Sequence, residues 1–185
     1  GVPDAQCPVE VLQTGSGTCA NMNANEVIAN RATGRAGGAV GSRDIHPNDH
    51  VNYGQSSNDV IPTALHVAAL EAVESDVLPA LETLHEELAA AEEAFADVVK
   101  TGRTHLQDAT PVMLGQEFGG YRTQVEKGIE RVDSTGDSLS ELALGGTATG
   151  TGLNTHPEFP RRAAEYISEG TGLGFSEADN HFGAR

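Results

Sequence analysis

The chain has no tryptophan and only eight aromatic residues, five Phe and three Tyr. Sheet sandwiches lean on aromatic and β-branched side chains, so a core of Ala, Leu and Val in close-packed helices fits better. Lysine is nearly missing. Lys100 and Lys127 stand beside nine arginines and 27 acidic residues, for a net charge of −16. Nucleic-acid binding needs a basic patch, and that class is disfavoured. The same balance suits a protein kept soluble by self-repulsion at high salt. It does not exclude an anionic ligand, because charges are screened beyond about 8 Å at physiological ionic strength. Two cysteines, Cys7 and Cys19, make neither a disulfide framework nor a metal site, and read as plain thiols. The chain shows no signal-peptide pattern and no long apolar run. A cytoplasmic protein without membrane or nucleic-acid partners is the expectation. With 185 residues, 38% of them hydrophobic, it can form one sizeable domain or a large piece of a bigger protein.

What is present is mostly helical pattern. A mixed opening holds a possible short strand at Val9–Leu12. Asn21 to Arg31 reads as a short helix despite Asn21, Asn23 and Asn25 in its first turns. Asn is a poor interior helix residue, so its crowding points to contacts beyond propensity. Residues 33–54 are glycine-rich and irregular, long enough to suggest a functional loop. From Asp59 to Val99, Leu81, Leu84, Leu88, Ala91, Phe95 and Val98 recur at helical spacing. Pro62 falls in the expected first turn, where its missing N–H costs nothing, and Pro79 should kink the helix or briefly interrupt it. A second long helix is expected from Pro111 to about Glu141, with Leu114, Phe118, Tyr121, Val125, Ile129 and Val132 on one stripe. The two seams would face each other in a bundle. Thr155 and Glu158 have capping-box spacing before a further helix ending near Gly170.

Three polar clusters stand where helices are expected to begin. Ser16-Gly17-Thr18 precedes the Asn21 helix, Ser56-Ser57-Asn58 opens the Asp59 helix, and Thr104-His105 precedes the Pro111 helix. Free N–H groups and the helix dipole favour anions at such ends. One cluster is what capping alone requires. Three together suggest a site for a small polycarboxylate. The stretch Arg103–Pro111 is the densest of them, with Arg, Thr, His, Gln and Asp where a plain turn would use Gly, Asn or Pro. A continuous helix over 59–99 would span about 60 Å at 1.5 Å per residue, with Ser57 and His105 at opposite ends. Sites assembled between antiparallel subunits are therefore expected.

The remaining histidines carry plainer readings. His66 and His85 read as surface or boundary residues of the long helix, and His156 as part of a capping turn. His46, in His46-Pro47-Asn48-Asp49, has no second His or Cys at ligand spacing, so no metal is expected. The glycine-rich run 145–152 lacks the Gly-Lys-Ser/Thr ending of a phosphate loop. Ser56 and Ser57 lack a nucleophile-elbow context.

Several words in this order resemble class II fumarase, within the fumarase and aspartase superfamily. They are Thr14-Gly15-Ser16-Gly17-Thr18, the run Asn21 to Asn30, His46-Pro47-Asn48-Asp49-His50-Val51-Asn52, and Gln55-Ser56-Ser57-Asn58-Asp59. The run Gly102 to Pro111, Leu114-Gly115-Gln116-Glu117-Phe118, Gly145-Gly146-Thr147-Ala148, and Gly150 to Glu158 complete the set. Together they cover most of residues 11–159. Aspartases resemble the chain too, but typically carry Gln at the place of His105, Thr at Ser57 and Ala at Ser16. All three positions here are fumarase-like.

The resemblance implies a mainly α, long-helix bundle truncated at both ends. Residues 1–58 would be the end of an N-terminal domain, and 59–185 the first part of a central helical bundle. It implies reversible hydration of fumarate to (S)-malate, a carbon–oxygen lyase reaction of the tricarboxylic acid cycle, without metal or organic cofactor. Homo-oligomers, as tetramers, are implied as well. The intermediate would be an aci-carboxylate, whose extra charge needs preorganised donors worth roughly 3–4 kcal/mol each. Ser16, Gly17, Thr18, Ser56, Ser57, Asn58 and Thr104 would bind substrate. His105 would be the acid/base residue, since imidazole ordinarily titrates near neutrality. His46, Pro47, Asn48 and Asp49 would form a second, non-catalytic carboxylate site. The family's other catalytic serine lies on a mobile loop expected well after position 185, so this chain alone is expected to be inactive. Aspartate ammonia-lyase, or a helical scaffold that has lost its chemistry, are the alternatives.

Overall fold

Asparagine and threonine, not leucine, fill the buried face of the first helix. In α1 (Thr18–Arg35) the buried residues are Asn21, Asn25, Ala29 and Thr33. Their four-residue spacing makes one stripe along the helix. The computed structural model describes residues 7, 9, 12, 13 and 15–184. The strand expected at Val9–Leu12 includes residues 10 and 11, outside the described set. By internal contacts the chain divides into two units, Gly1–Ala68 with Leu139–Arg185, and Ala69–Ser138. That is a division of contacts within this chain, distinct from the expected domains 1–58 and 59–185.

In the first unit, α1 begins earlier than expected because Gly17 adopts left-handed backbone, φ 72°, and turns the chain into the helix. The loop after α1 is held by polar contacts. Gly41 N–H donates to Asn30 Oδ1, and Ile45 N–H to Thr33 Oγ1. Pro47–Val51 then forms a single π-helical turn capped by His46. α2 (Ser57–Ala72) follows, starting two residues before the expected Asp59. Pro62 is therefore inside the helix rather than in its first turn, and leaves the Asn58 carbonyl without its usual helical donor.

The rest of the first unit lies after residue 138. Two short parallel strands, β3 (Glu141–Leu142) and β4 (Ser176–Glu177), pair beside α6 (Phe159–Thr171). α6 ends at Gly172 in left-handed backbone. The capping box expected from Thr155 and Glu158 does not form. Thr155 Oγ1 donates instead to the Gly54 carbonyl at 2.6 Å, and Glu158 occupies the cap position with its carboxylate turned to Arg161 and Arg162 rather than to the helix backbone. The buried apolar residues here are small or aliphatic apart from one ring: Ala29, Leu142, Ala143, Ala164, Phe175 and Ala178.

In the second unit, Val73–Val77 form a π-helical segment leading into α3 (Leu78–Ala94). Pro79 sits in the first turn of α3, so the interruption it requires falls just upstream of it. α3 packs against α4 (Leu114–Asp133). At the contact, Gly115 lies so near α3 that a Cβ would come within 2.5 Å of the Glu92 carbonyl oxygen. The Phe95 and Phe118 rings meet at 5.5 Å, and Phe118 meets Tyr121 edge-on at 6.1 Å. The expected seams are partly open: Leu84, Phe95, Val98 and Tyr121 stay exposed. A short α5 (Gly136–Ser140) follows α4.

The largest departure lies between α3 and α4. The helix expected from Pro111 does not start there, and Val99 does not end one. Val99–Thr104 is strand β1 and Gln107–Met113 is strand β2, paired antiparallel with Thr104 opposite Gln107. Pro111 lies in β2, opposite Thr101. The pairing slips by one residue between Thr101 and Arg103, a β-bulge on β2. Alternating β-branched residues (Val99, Thr101, Thr110, Val112) favour the ladder, and helix starts at Leu114, where Met113 N–H bonds the Gln116 side chain at 3.0 Å.

Candidate functional site

The site residues of the first unit gather at two helix starts that touch. Gly17, at the head of α1, lies against Ile61 in the first turns of α2; a Cβ on Gly17 would stand 2.7 Å from Ile61 Cγ1. One turn into α1, Asn21 Nδ2 donates to Ser57 Oγ at 2.9 Å. Ser16, Thr18, Ser56, Ser57 and Asn58 are thereby drawn to one region, at the positive dipole ends of both helices. Ser16 Oγ and Thr18 Oγ1 lie 3.3 Å apart. Ser56 Oγ accepts from both the backbone N–H and the side-chain amide of Asn58, each at 3.2 Å.

Beneath them is a buried amide cluster. Asn25 Nδ2 donates to Asn52 Oδ1 at 3.0 Å, and Asn21 Nδ2 also reaches that oxygen at 3.4 Å. Asn21 and Asn25 are each 6% exposed. Buried amides are stable only when bonded, and these bond one another. On the other side, Asp59 is fully buried. Its Oδ1 accepts the Ser56 N–H at 2.9 Å, and its Oδ2 accepts the N–H groups of Gly145 and Thr147 at 3.0 and 2.8 Å. One carboxylate thus ties the 56–58 segment to the 145–147 loop. In the sequence Asp59 stands at an expected helix start and closes the Gln55–Asp59 motif, with no partner assigned to its carboxylate. Its signal was the acidic residue three positions after Ser56, the spacing of a capping box.

His46, Pro47, Asn48 and Asp49 lie on the π-helical turn. His46 Nδ1 accepts the Asp49 N–H at 3.2 Å and lies 3.2 Å from the Asp49 carboxylate, while His46 N–H donates to His50 Nδ1 at 2.8 Å. Pro47 is buried, and Asn48 and Asp49 face solvent.

Thr104 and His105 belong to the second unit. They precede strand β2 and not a helix, so no helix dipole favours an anion beside them, contrary to expectation. They sit at the tip of the hairpin, and His105 and Leu106 are its two turn residues, both with positive φ, 46° and 59°. A two-residue turn of this kind normally uses Asn-Gly or Gly-Gly. A bulky Leu there is an outlier, and such strain concentrates at functional segments. Every residue from Arg103 to Thr110 is exposed. The base of the hairpin is anchored to α4: Lys100 bonds Glu117, and Tyr121 Oη donates to Glu117 at 2.9 Å. The Lys100 ammonium, helped by the Tyr121 hydroxyl, holds the Glu117 carboxyl below its ordinary range. The same contact raises Tyr121. Nearby, Glu92 raises Arg122 through a 2.6 Å hydrogen bond. Among the described residues, no three His, Cys, Asp or Glu side chains are grouped to share a metal ion.

A helical protein with hydroxyls and amides at converging helix starts is suited to holding a small anion. Residues 2–185 match a family model described as Lyase, and the chain belongs to that family. It is 71% identical, over its whole length, to the class II fumarate hydratase of Halobacterium salinarum, of which it covers 39%. It is 58% identical over 96% of its length to that of Nitrosomonas europaea, covering 38% of it. It is 54% identical over 100% of its length to the mitochondrial fumarate hydratase of Saccharomyces cerevisiae, covering 38%. Among solved structures, a class II fumarase from Schistosoma mansoni matches 98% of the chain at TM-score 0.90 and 40% identity, with 41% of that protein covered. A fumarate lyase:delta crystallin from Brucella melitensis bound to cobalt matches the whole chain at TM-score 0.90 and 41% identity, with 40% of it covered. The resemblance to class II fumarase read from the motifs holds, as does the mainly α fold. The chain spans about two fifths of the length of these relatives.

Proposed function

We propose that this chain is part of an enzyme that interconverts fumarate and (S)-malate, with Ser16, Gly17, Thr18, Ser56, Ser57, Asn58 and Thr104 binding the dicarboxylate and His105 moving the proton. The observation that carries this reading is the contact of two helix starts through Asn21–Ser57 and Gly17–Ile61. Two positive dipole ends and their uncharged donors suit a dianion, and keep suiting it as an aci-carboxylate gains charge. His105 stands exposed on a strained turn, where a second copy of the chain can reach it. That supports sites shared between subunits of a homo-oligomer, which we take to be a tetramer. His46, Pro47, Asn48 and Asp49 would form an accessory carboxylate site. No metal or organic cofactor enters this scheme. We place the enzyme in the cytoplasm, in the tricarboxylic acid cycle, and in a high-salt setting consistent with its net charge of −16.

Grafting this chain in place of the matching segment of the Halobacterium salinarum enzyme tests the reading. The expected result is fumarate formation, followed by its absorbance, from malate and not from aspartate. The 185-residue chain alone should show no turnover. A correctly assembled chimera that is inert with malate, or that prefers aspartate, would overturn the assignment.

A further inference from the structure

The direction of one hydrogen bond determines what Ser57 can offer a ligand, and it can be traced through the amide cluster. The trace starts at a backbone carbonyl, which can only accept. Asn52 Nδ2 donates to the Gln55 carbonyl at 3.5 Å, so Asn52 turns its Oδ1 the other way. That oxygen receives Asn25 Nδ2 at 3.0 Å and Asn21 Nδ2 at 3.4 Å. Asn21 must therefore present its NH2 group to this side. The same nitrogen lies 2.9 Å from Ser57 Oγ, while Asn21 Oδ1 faces Asn25 Nδ2 at 3.5 Å. Ser57 is thus the acceptor in its contact with Asn21. No described group takes the Ser57 hydroxyl hydrogen, and the side chain is half-buried.

A serine hydroxyl is ambivalent: beside an anion it helps only if its hydrogen points at the anion. We propose that Asn21 is a positioning residue that makes Ser57 a donor. By filling one lone pair of Ser57 Oγ with its amide hydrogen, it leaves the Ser57 O–H for a bound carboxylate. The cluster of buried Asn21 and Asn25 with half-buried Asn52 exists, on this account, to fix that polarity. An aspartate at position 21 has nearly the same shape and the opposite effect. It would accept the Ser57 hydrogen and place a buried negative charge behind it. The inference rests on the reading that Ser57 touches the dicarboxylate, and it assigns Asn21 no contact with substrate.

Two measurements separate this inference from that reading. In the 185-residue chain, Ser57→Ala should shift the Asn21 side-chain amide resonances in a nitrogen–proton spectrum by more than those of Asn25. Unmoved Asn21 resonances would overturn the Asn21–Ser57 hydrogen bond, whatever the enzyme's activity. In the active chimera described above, Asn21→Asp should lower kcat/KM for malate about ten- to a hundredfold, chiefly through KM, the scale of one hydrogen bond to a charged group. In a Ser57→Ala background the same change should cost less than about threefold. A purely structural Asn21 would cost the same factor in both backgrounds, and that outcome would sink the proposal. A wild-type chimera without turnover would instead fail the fumarate reading, leaving the resonance shift to decide the Asn21–Ser57 hydrogen bond.

Discussion

Asp59 Oδ2 accepts the backbone N–H of Thr147 at 2.8 Å, across 88 residues of sequence, from a side chain with no solvent exposure. With the Gly145 and Ser56 N–H groups it completes a set of three backbone donors on one carboxylate. Asp59→Ala would leave all three inside the protein unpaired. At about 1–3 kcal/mol for each unsatisfied group, a loss of at least about 3 kcal/mol is expected. Denaturant unfolding of the chain and its variant measures it. A loss under about 1 kcal/mol would mean that water reaches these groups.

Gly17 carries two demands at once, left-handed backbone and a Cβ-free approach to Ile61. Gly17→Ala should cost about 1–2 kcal/mol for the backbone and about 1–3 kcal/mol for overpacking. Gly17→Ala should cost less in an Ile61→Ala background, which removes Cγ1, Cγ2 and Cδ1, than in the wild type, with the backbone cost remaining in both. An equal cost in both backgrounds would show that the contact with Ile61 does not matter.

The helices of the second unit were readable because their apolar residues repeat at helical spacing. α1 was harder. Its buried stripe of Asn21, Asn25 and Thr33 carries no hydrophobic period, and only the excess of asparagine hinted at it. The hairpin was missed for two physical reasons. Thr110-Pro111 imitates a helix start, and the turn itself uses His105-Leu106 where Gly or Asn would have announced it. The alternation of Val99, Thr101, Thr110 and Val112 was the available signal. His105 stood out regardless, because its resemblance to a family motif did not depend on the element bearing it. The ties from Asp59 to residues 145–147 were not legible, since no local pattern encodes a contact 86 or 88 positions away.

Leu106 tests the strain in that turn. It is fully exposed, so its replacement loses no packing. Asn tolerates positive φ better than Leu, and left-handed backbone costs an ordinary residue about 1–2 kcal/mol. Leu106→Asn should therefore raise stability by roughly 0.5–1 kcal/mol. Thermal unfolding should show a higher Tm. A lower Tm would mean that the turn does not hold Leu106 at positive φ.

The hairpin base makes a pH-dependent contribution whose sign follows from Glu117. Lys100 and the Tyr121 hydroxyl lower its folded-state pKa from the ordinary 4.5. The folded protein thus binds this proton less readily than the unfolded chain. The stabilisation is fully present above the unfolded value and is lost as pH falls through the lowered folded one. Tyr121 runs the other way: Glu117 raises it above 10.0, so its share is present below that value and fades as pH rises through the raised one. Glu117→Gln should flatten the acid-side decline of stability measured between about pH 5 and 3, and Lys100→Met should weaken it. The alkaline decline near the Tyr121 titration should shrink in Glu117→Gln as well. Unfolding curves with the same acid slope in wild type and Glu117→Gln would show that the Lys100–Glu117–Tyr121 contact does not persist in solution.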